Sequence, residues 1–106
     1  MEHSRPIRIG IVGAGDIVRA VHLPVLLAMP QAQVEWLCDV DTNRAKTMSK
    51  AYGPRAVEAP RDPGDLPEAD VVLLATPYGV RRPYYEALRA RGTAIYVEKP
   101  FACSSK

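Results

Sequence analysis

Short runs of apolar, often β-branched residues alternate along the chain with segments in which apolar residues recur every three or four positions. Runs of the first kind are typical of strands buried on both faces, and spacing of the second kind is typical of helices. The predicted strands are Ile7–Val12, Val34–Cys38, Ala56–Glu58, Val71–Ala75 and Ala94–Val97. The predicted helices occupy residues 16–29, about 42–52 and 80–91.

Proline and glycine indicate where these helices begin and end. Pro24 removes a helix hydrogen bond, so the first helix either breaks just before it or restarts with Pro24 in its first turn. Asp41 or Thr42 can cap the second helix, and Gly53 stops it. Gly92 is placed to terminate the third helix. Residues 60–68 are dense in proline, glycine and aspartate, which predicts a loop with at most one helical turn.

Strands that alternate with helices predict an α/β fold in which a parallel sheet has helices on both faces. Because crossovers between parallel strands are right-handed, few topologies remain. We expect a doubly wound sheet of order 3-2-1-4-5 that stops after its fifth strand, with a ligand crevice between strands 1 and 4.

Composition narrows the class of protein without naming a function. The chain has 106 residues, of which 47% are hydrophobic and 25% charged, and a net charge of +2. These values fit one globular domain and give no reason to expect a nucleic acid or a membrane as partner. The two cysteines have no metal-ligand spacing, so no metal site or disulfide is expected, and we predict a cytoplasmic protein. Three arginines of the last helix are expected to be solvated: Arg82, Arg89 and Arg91.

A glycine-rich turn follows the first predicted strand and opens a helix. Gly13 would allow the tight turn, and Gly15 would let the backbone approach a pyrophosphate that the helix N-terminus attracts. This is the arrangement of a Rossmann-type dinucleotide-binding domain. The third position of the fingerprint is normally glycine or alanine and is Val18 here. An ordinary turn between a strand and a helix is the competing interpretation.

An acidic residue ends the second predicted strand. Asp39 follows the glycine turn by roughly the 20 residues that separate these features in dinucleotide-binding folds. Its carboxylate would accept hydrogen bonds from the adenosine ribose and repel a 2′-phosphate, which favours NAD over NADP. A simple turn that Asp39 begins with Asp41 is the competing interpretation, and Arg44 could accommodate a 2′-phosphate.

Lys99 follows the fifth predicted strand, at the edge of the sheet where ligands bind. A lysine there could exchange a proton with a substrate hydroxyl if its pKa fell from about 10.4 to about 7–8. A solvated loop lysine is the alternative.

Taken with these residues, the chain resembles the N-terminal half of the Gfo/Idh/MocA family of oxidoreductases. The matching segments are Ile9 to Ile17, His22-Leu23-Pro24, Cys38-Asp39, Ala75-Thr76-Pro77 and Glu98-Lys99-Pro100. The resemblance implies hydride transfer between a nicotinamide cofactor and a sugar-like secondary alcohol or ketone, with Lys99 as the catalytic residue. It also implies a candidate cis peptide bond before Pro100. The cofactor-binding residues that it implies are Gly13, Ala14, Gly15, Asp16, Ile17, Asp39, Thr76, Pro77, Tyr78, Glu98, Lys99 and Pro100.

The chain departs from the family pattern in two respects. Arg81 stands where the family often has a histidine, five positions after the threonine. We also expect the family's second, substrate-binding domain to be absent from these 106 residues. Residues 1–6 are expected to be a flexible N-terminus and 7–106 a dinucleotide-binding domain that does not turn over substrate alone. Family dimers pair through the second domain, so a homo-oligomer is possible. A non-catalytic NAD-binding module, such as a sensor or partner subunit, and a degenerate paralogue that binds nothing are the competing hypotheses.

Overall fold

The computed structural model describes residues 5–13, 15, 18, 22–76 and 78–97, and for residues 78–80 the backbone alone. Within these residues, no helix combines the length and the apolar character needed to cross a membrane.

A single parallel sheet forms the centre of the described structure. Its strand order is β3-β2-β1-β4-β5, and every neighbouring pair is parallel. The predicted fold class and strand order are therefore confirmed. The strands are β1 (Ile7–Val12), β2 (Ala32–Asp39), β3 (Arg55–Glu58), β4 (Val71–Leu74) and β5 (Ala94–Val97).

Helices cover both faces of the sheet, and they are α1 (Leu23–Ala28), α2 (Thr42–Tyr52) and α3 (Tyr78–Ala90). Leu23 of α1 and Met48 of α2 pack with one set of buried strand residues. Tyr84 and Leu88 of α3 pack with the alternate set on the opposite face. Because successive side chains of a strand point to opposite faces, nearly continuous apolar strands supply both cores.

Each helix end has a local cause. Pro24 lies in the first turn of α1, where its missing N–H costs nothing, so the second of the two predicted alternatives is correct. Asp41 caps α2 by accepting the N–H groups of Asn43 and Arg44 at 3.1 and 3.2 Å. After α3, Gly92 adopts a φ of +76°, and its N–H donates to the carbonyl of Arg89. Gly92 therefore terminates α3 as predicted.

A loop, rather than a helix, connects β3 to β4. It contains one short 3-10 turn, Pro63–Asp65, as the sequence predicted. Arg91, at the end of α3, donates to the carbonyl oxygens of Leu66 at 2.9 Å and Pro67 at 3.3 Å. The expectation of a merely solvated Arg91 is wrong, because its guanidinium satisfies carbonyl groups that this loop leaves without partners.

Trp36 fills the core beneath the same loop. Its ring is 1% exposed, and its Nε1 donates to the carbonyl oxygen of Glu68 at 3.1 Å. A Cβ on Gly10 would overlap the six-membered ring of Trp36, and the register of β1 against β2 shifts between Ile9 and Gly10. Gly10 is thus required by the packing of Trp36, not by the glycine turn that follows.

Candidate site at the carboxyl edge of the sheet

Gly13 lies between the ends of three strands. Its N–H donates to the carbonyl oxygen of Cys38 at the end of β2, at 2.7 Å. On its other side, a Cβ at this position would lie 2.8 Å from the carbonyl of Ala75 and 3.2 Å from the nitrogen of Thr76. Its φ of +108° belongs to the region that favours glycine. Gly13 is therefore the residue through which the ends of β1, β2 and β4 meet.

Gly15 has different surroundings, although it is only two residues away. Its φ is not in the left-handed region, and no atom of the described residues lies within 4 Å of a Cβ built on it. None of the described residues therefore requires glycine at this position. The open space beside the backbone is what a closely approaching phosphate would require, so this turn fits a dinucleotide.

Val18 occupies the third position of the glycine fingerprint and is fully buried. It packs in the core with Ile11, Leu23 and Leu37. The larger side chain is thus accommodated in the core beside the sheet, at the position where a small residue was expected.

Asp39 ends β2 at the same edge of the sheet and is 8% exposed. Its Oδ1 accepts the N–H of Asp41 at 2.8 Å, and its Oδ2 lies 3.8 Å from Nη1 of Arg44. The predicted turn with Asp41 is therefore real, but it engages only one of the two carboxylate oxygens. Because Arg44 is about half exposed, its charge interaction with Asp39 is partly screened by solvent.

Cys38 precedes Asp39 and is a free, fully buried thiol. Burial, aided by the negative charge of Asp39, raises the pKa of this thiol to about 12. The thiol therefore stays protonated at neutral pH, which makes Cys38 a packing residue and excludes it as a nucleophile.

Thr76, which follows β4, and Arg81, in the first turn of α3, are in contact at the junction of these two elements. The side chain of Arg81 is only 8% exposed, and its Nη2 donates to the carbonyl oxygen of Thr76 at 3.0 Å. The Oγ1 of Thr76 and the Nε of Arg81 are both buried, and neither has a hydrogen-bond partner among the described residues. Sequence reasoning did not anticipate the burial of Arg81, although Arg81, Tyr84 and Leu88 have the spacing of one helix face.

Other predicted site residues lie outside the described part of the chain. They are Ala14, Asp16, Ile17, Pro77, Glu98, Lys99 and Pro100. The candidate cis bond before Pro100 lies there too, and of Tyr78 the backbone alone is described. Of the predicted set, the structure thus brings Gly13, Gly15, Asp39 and Thr76 to one edge of the sheet.

This edge combines groups that suit a dinucleotide. The turn at Gly13 and Gly15 leaves space for phosphates, and a carboxylate stands at the end of the neighbouring strand. Carboxyl ends of parallel strands are where ligands bind in doubly wound folds. The geometry therefore suits binding of an extended ligand across β1, with its phosphates central and a hydroxyl-bearing group beside Asp39.

A model of an oxidoreductase family described as having an NAD-binding Rossmann fold, GFO_IDH_MocA, matches residues 7–106. A dTDP-3,4-didehydro-2,6-dideoxy-alpha-D-glucose 3-reductase from Streptomyces antibioticus is 34% identical over 95% of this chain and 31% of its own length. An inositol 2-dehydrogenase from Acidothermus cellulolyticus is 30% identical over 99% of this chain and 31% of its own length. The chain thus spans about a third of the length of these relatives.

Solved structures agree with these relationships. The 3-ketoreductase KijD10 from Actinomadura kijaniata, solved in complex with NADP and TDP-benzene, has a TM-score of 0.78 and 31% identity, covering 91% of this chain and 30% of its own. GenD2 from gentamicin A biosynthesis, solved in complex with NAD, has a TM-score of 0.78 at 24% identity, covering 93% of this chain and 28% of its own. The second likeness supports the fold alone.

Proposed function

Because the chain belongs to the GFO/IDH/MocA oxidoreductase family, whose model describes an NAD-binding Rossmann fold, we propose that it is the cofactor-binding part of an enzyme of hydride transfer. The substrate class we propose is a sugar-like or polyol secondary alcohol or the corresponding ketone. The support for this class is the reactions named for the relatives, a sugar 3-reductase and an inositol 2-dehydrogenase.

The observation that carries the proposal is the contrast between the two glycines of the turn. Gly13 is required by the fold, because a side chain there would strike the backbone at Ala75. Gly15 is not required by any described neighbour. A ligand that needs close access to the backbone explains Gly15, and the pyrophosphate of a dinucleotide is such a ligand.

We assign Asp39 as the residue that binds the adenosine ribose, and we propose NAD as the preferred cofactor. The Oδ2 of Asp39 faces Arg44 at 3.8 Å, whereas Oδ1 is engaged by the Asp41 N–H. A buried carboxylate that accepts ribose hydroxyls repels a 2′-phosphate, and this repulsion favours NAD. The positive charge of Arg44 would attract a 2′-phosphate and so favour NADP. The preference between NAD and NADP therefore depends on how far the Asp39 carboxylate neutralises that charge.

We assign Lys99 as the general acid and base that exchanges a proton with the substrate hydroxyl. A nicotinamide cofactor would supply the hydride acceptor or donor at its C4 position. Lys99 would take the hydroxyl proton when the alcohol is oxidised and return it when the ketone is reduced. Glu98 and Pro100 flank this lysine and would orient it, and Thr76, Pro77 and Tyr78 would line the neighbouring wall. This assignment rests on the Glu98-Lys99-Pro100 sequence.

The Gly15→Ala variant tests the cofactor site. We expect its affinity for NAD to fall about tenfold or more, because the new methyl group occupies the space assigned to the phosphates. Its melting temperature should stay near that of the wild type, since the Cβ meets no described atom. Calorimetric titration with NAD and NADP, beside thermal unfolding, measures both quantities.

Gly64→Ala is the matched control. Gly64 lies in the loop between β3 and β4, and a Cβ there meets only the Asp62 carboxylate, at an ordinary 3.4 Å. This variant should bind NAD as the wild type does. Wild-type NAD affinity in a folded Gly15→Ala variant would contradict the assignment of the turn to the pyrophosphate.

A further inference from the structure

Arg81 is a buried cation that has no counter-ion among the described residues. It belongs to the first turn of α3, and its side chain is 8% exposed. The ion pairs formed by the described residues involve other arginines: Arg5, Arg8, Arg44 and Arg82. The carbonyl of Thr76 accepts from one guanidinium nitrogen, and Nε has no hydrogen-bond partner in the part of the chain that the structure describes.

The surroundings make this charge costly in the ligand-free protein. A buried charge without a partner is unfavourable, because the neighbouring atoms do not replace the solvation that water gives it. The position adds to the cost, since the first turn of a helix carries the positive end of the helix dipole. Two positive sources therefore coincide at the carboxyl edge of β4, and an anion there would relieve both.

The same place also holds an unsatisfied hydroxyl and adjoins the glycine turn. Oγ1 of Thr76 is buried, and residues 5–13, 15, 18, 22–76 and 78–97 offer it no hydrogen-bond partner. The guanidinium is directed toward this residue, because Nη2 lies 3.0 Å from its carbonyl oxygen. The backbone at Thr76 in turn lies 3.2 Å from the Cβ position of Gly13. Arg81, Thr76 and Gly13 are therefore contiguous along the edge where ligands bind.

We propose that Arg81 is an anion-binding residue that balances the phosphoryl charge of the dinucleotide held at the Gly13–Gly15 turn. This inference rests on the proposed function and adds to the glycine turn a contribution from the first turn of α3. The guanidinium is suited to phosphoryl oxygens because it is always charged and offers several N–H donors in a fixed plane. Thr76 holds it at the edge of the crevice through the Nη2 hydrogen bond.

The decisive variant is Arg81→Met, which replaces the charged group by an apolar chain of similar length. If Arg81 is an uncompensated charge awaiting an anion, this variant should melt at a higher temperature than the wild type, because a buried charge is removed. Its affinity for NAD and for inorganic pyrophosphate should fall about tenfold or more, the loss expected for one hydrogen bond to a charged group. Its affinity for adenosine, which carries no phosphate, should be unchanged.

Three further variants complete the experiment. Arg81→Lys keeps the charge and should retain most of the affinity for both phosphorylated ligands. Arg81→Gln keeps an N–H donor for Thr76 without the charge and should bind as Arg81→Met does. Arg82→Gln removes a neighbouring charge whose side chain is 82% exposed and pairs with Glu86, and it should leave all affinities unchanged. Calorimetric titration and thermal unfolding give the readouts.

Each outcome separates this inference from the function on which it rests. A folded Arg81→Met variant that binds NAD and pyrophosphate as tightly as the wild type overturns the inference alone. A lower melting temperature together with an equal loss for adenosine shows a structural arginine and also overturns it. A wild-type chain that does not bind NAD contradicts the proposed function. In that case the affinity for inorganic pyrophosphate still tests Arg81. If the wild type does not bind pyrophosphate, or if the wild type and the Arg81 variants bind it equally well, the proposed anion site is wrong.

Discussion

At the scale of single residues, Gly13 and Gly15 show how one fingerprint contains two different constraints. The backbone of β4 leaves no room for a side chain at Gly13, whose φ is also +108°. The constraint at Gly15 has no counterpart among the described protein atoms. Asp39 differs from Gly15, because the described residues do engage it: its Oδ1 accepts the N–H of Asp41, and its Oδ2 lies 3.8 Å from Nη1 of Arg44.

Asp39→Ser should change cofactor preference. Removing the carboxylate removes the repulsion of a 2′-phosphate and leaves Arg44 free to attract one. We expect the ratio of NAD affinity to NADP affinity to fall about tenfold, the effect of roughly 1.4 kcal/mol. Titration of both cofactors measures this ratio.

Asp41→Ser is the control for that experiment, because it removes an equal charge two residues away while serine can still cap α2. Its NAD-to-NADP ratio should change much less. An unaltered ratio in Asp39→Ser would remove Asp39 from the ribose site.

At the scale of elements, α3 joins the binding edge to the opposite end of the sheet. Its first turn brings Arg81 to Thr76, and its last residues bring Arg91 to the loop between β3 and β4. That loop takes the place of a helix between β3 and β4. Leu66 of the loop and Trp36 of β2 fill the core on this face of the sheet. A side chain from one helix end therefore holds a connection that has little regular structure of its own.

Arg91→Ala should destabilise the domain by about 1 kcal/mol, because it leaves the carbonyls of Leu66 and Pro67 without their partner. For a domain of this size that loss lowers the melting temperature by about 4–8 °C. Arg89→Ala, a change of the same kind in the same helical turn, is the matched control and should have a smaller effect. Equal melting temperatures for the two variants would show that the loop does not depend on Arg91.

At the scale of the whole molecule, the doubly wound sheet places the ends of β1, β2 and β4 side by side. The described domain can therefore offer a cofactor site from three separate parts of the chain. It spans about 31% of the length of a relative that acts as a sugar 3-reductase. Hydride transfer to a substrate is accordingly a property to be tested on the whole protein.

Lys99→Ala in the whole protein should lower kcat by about 10²–10⁴-fold, the usual contribution of a general acid or base. NAD affinity should stay within a few-fold of the wild type, because the proposed role concerns the substrate hydroxyl. Lys50→Ala on α2 serves as a control for loss of a lysine charge. If NAD affinity collapsed while kcat at saturating NAD persisted, Lys99 would be a cofactor ligand rather than the acid–base residue.

Much of the fold follows from local patterns that act over a few residues. Apolar runs located all five strands to within about two residues, because a strand covered on both faces needs continuous apolar residues. Gly92 and the cap before α2 were predicted because each depends on backbone conformation or on a hydrogen bond a few residues away. The start of α3 at Tyr78 was less accurately predicted, since Val80 was the first apolar residue of its visible stripe.

Contacts between distant residues were decided only by the tertiary structure. The sequence by itself determined the α/β class, the strand order and the glycine turn, because handed crossovers and local spacing leave few alternatives. It did not determine that Trp36 requires Gly10, that Arg91 holds the loop, or that Arg81 is buried with no counter-ion among the described side chains. Each of these features depends on contacts between side chains that are distant in sequence. Patterns of charge and hydropathy along the chain do not specify such contacts.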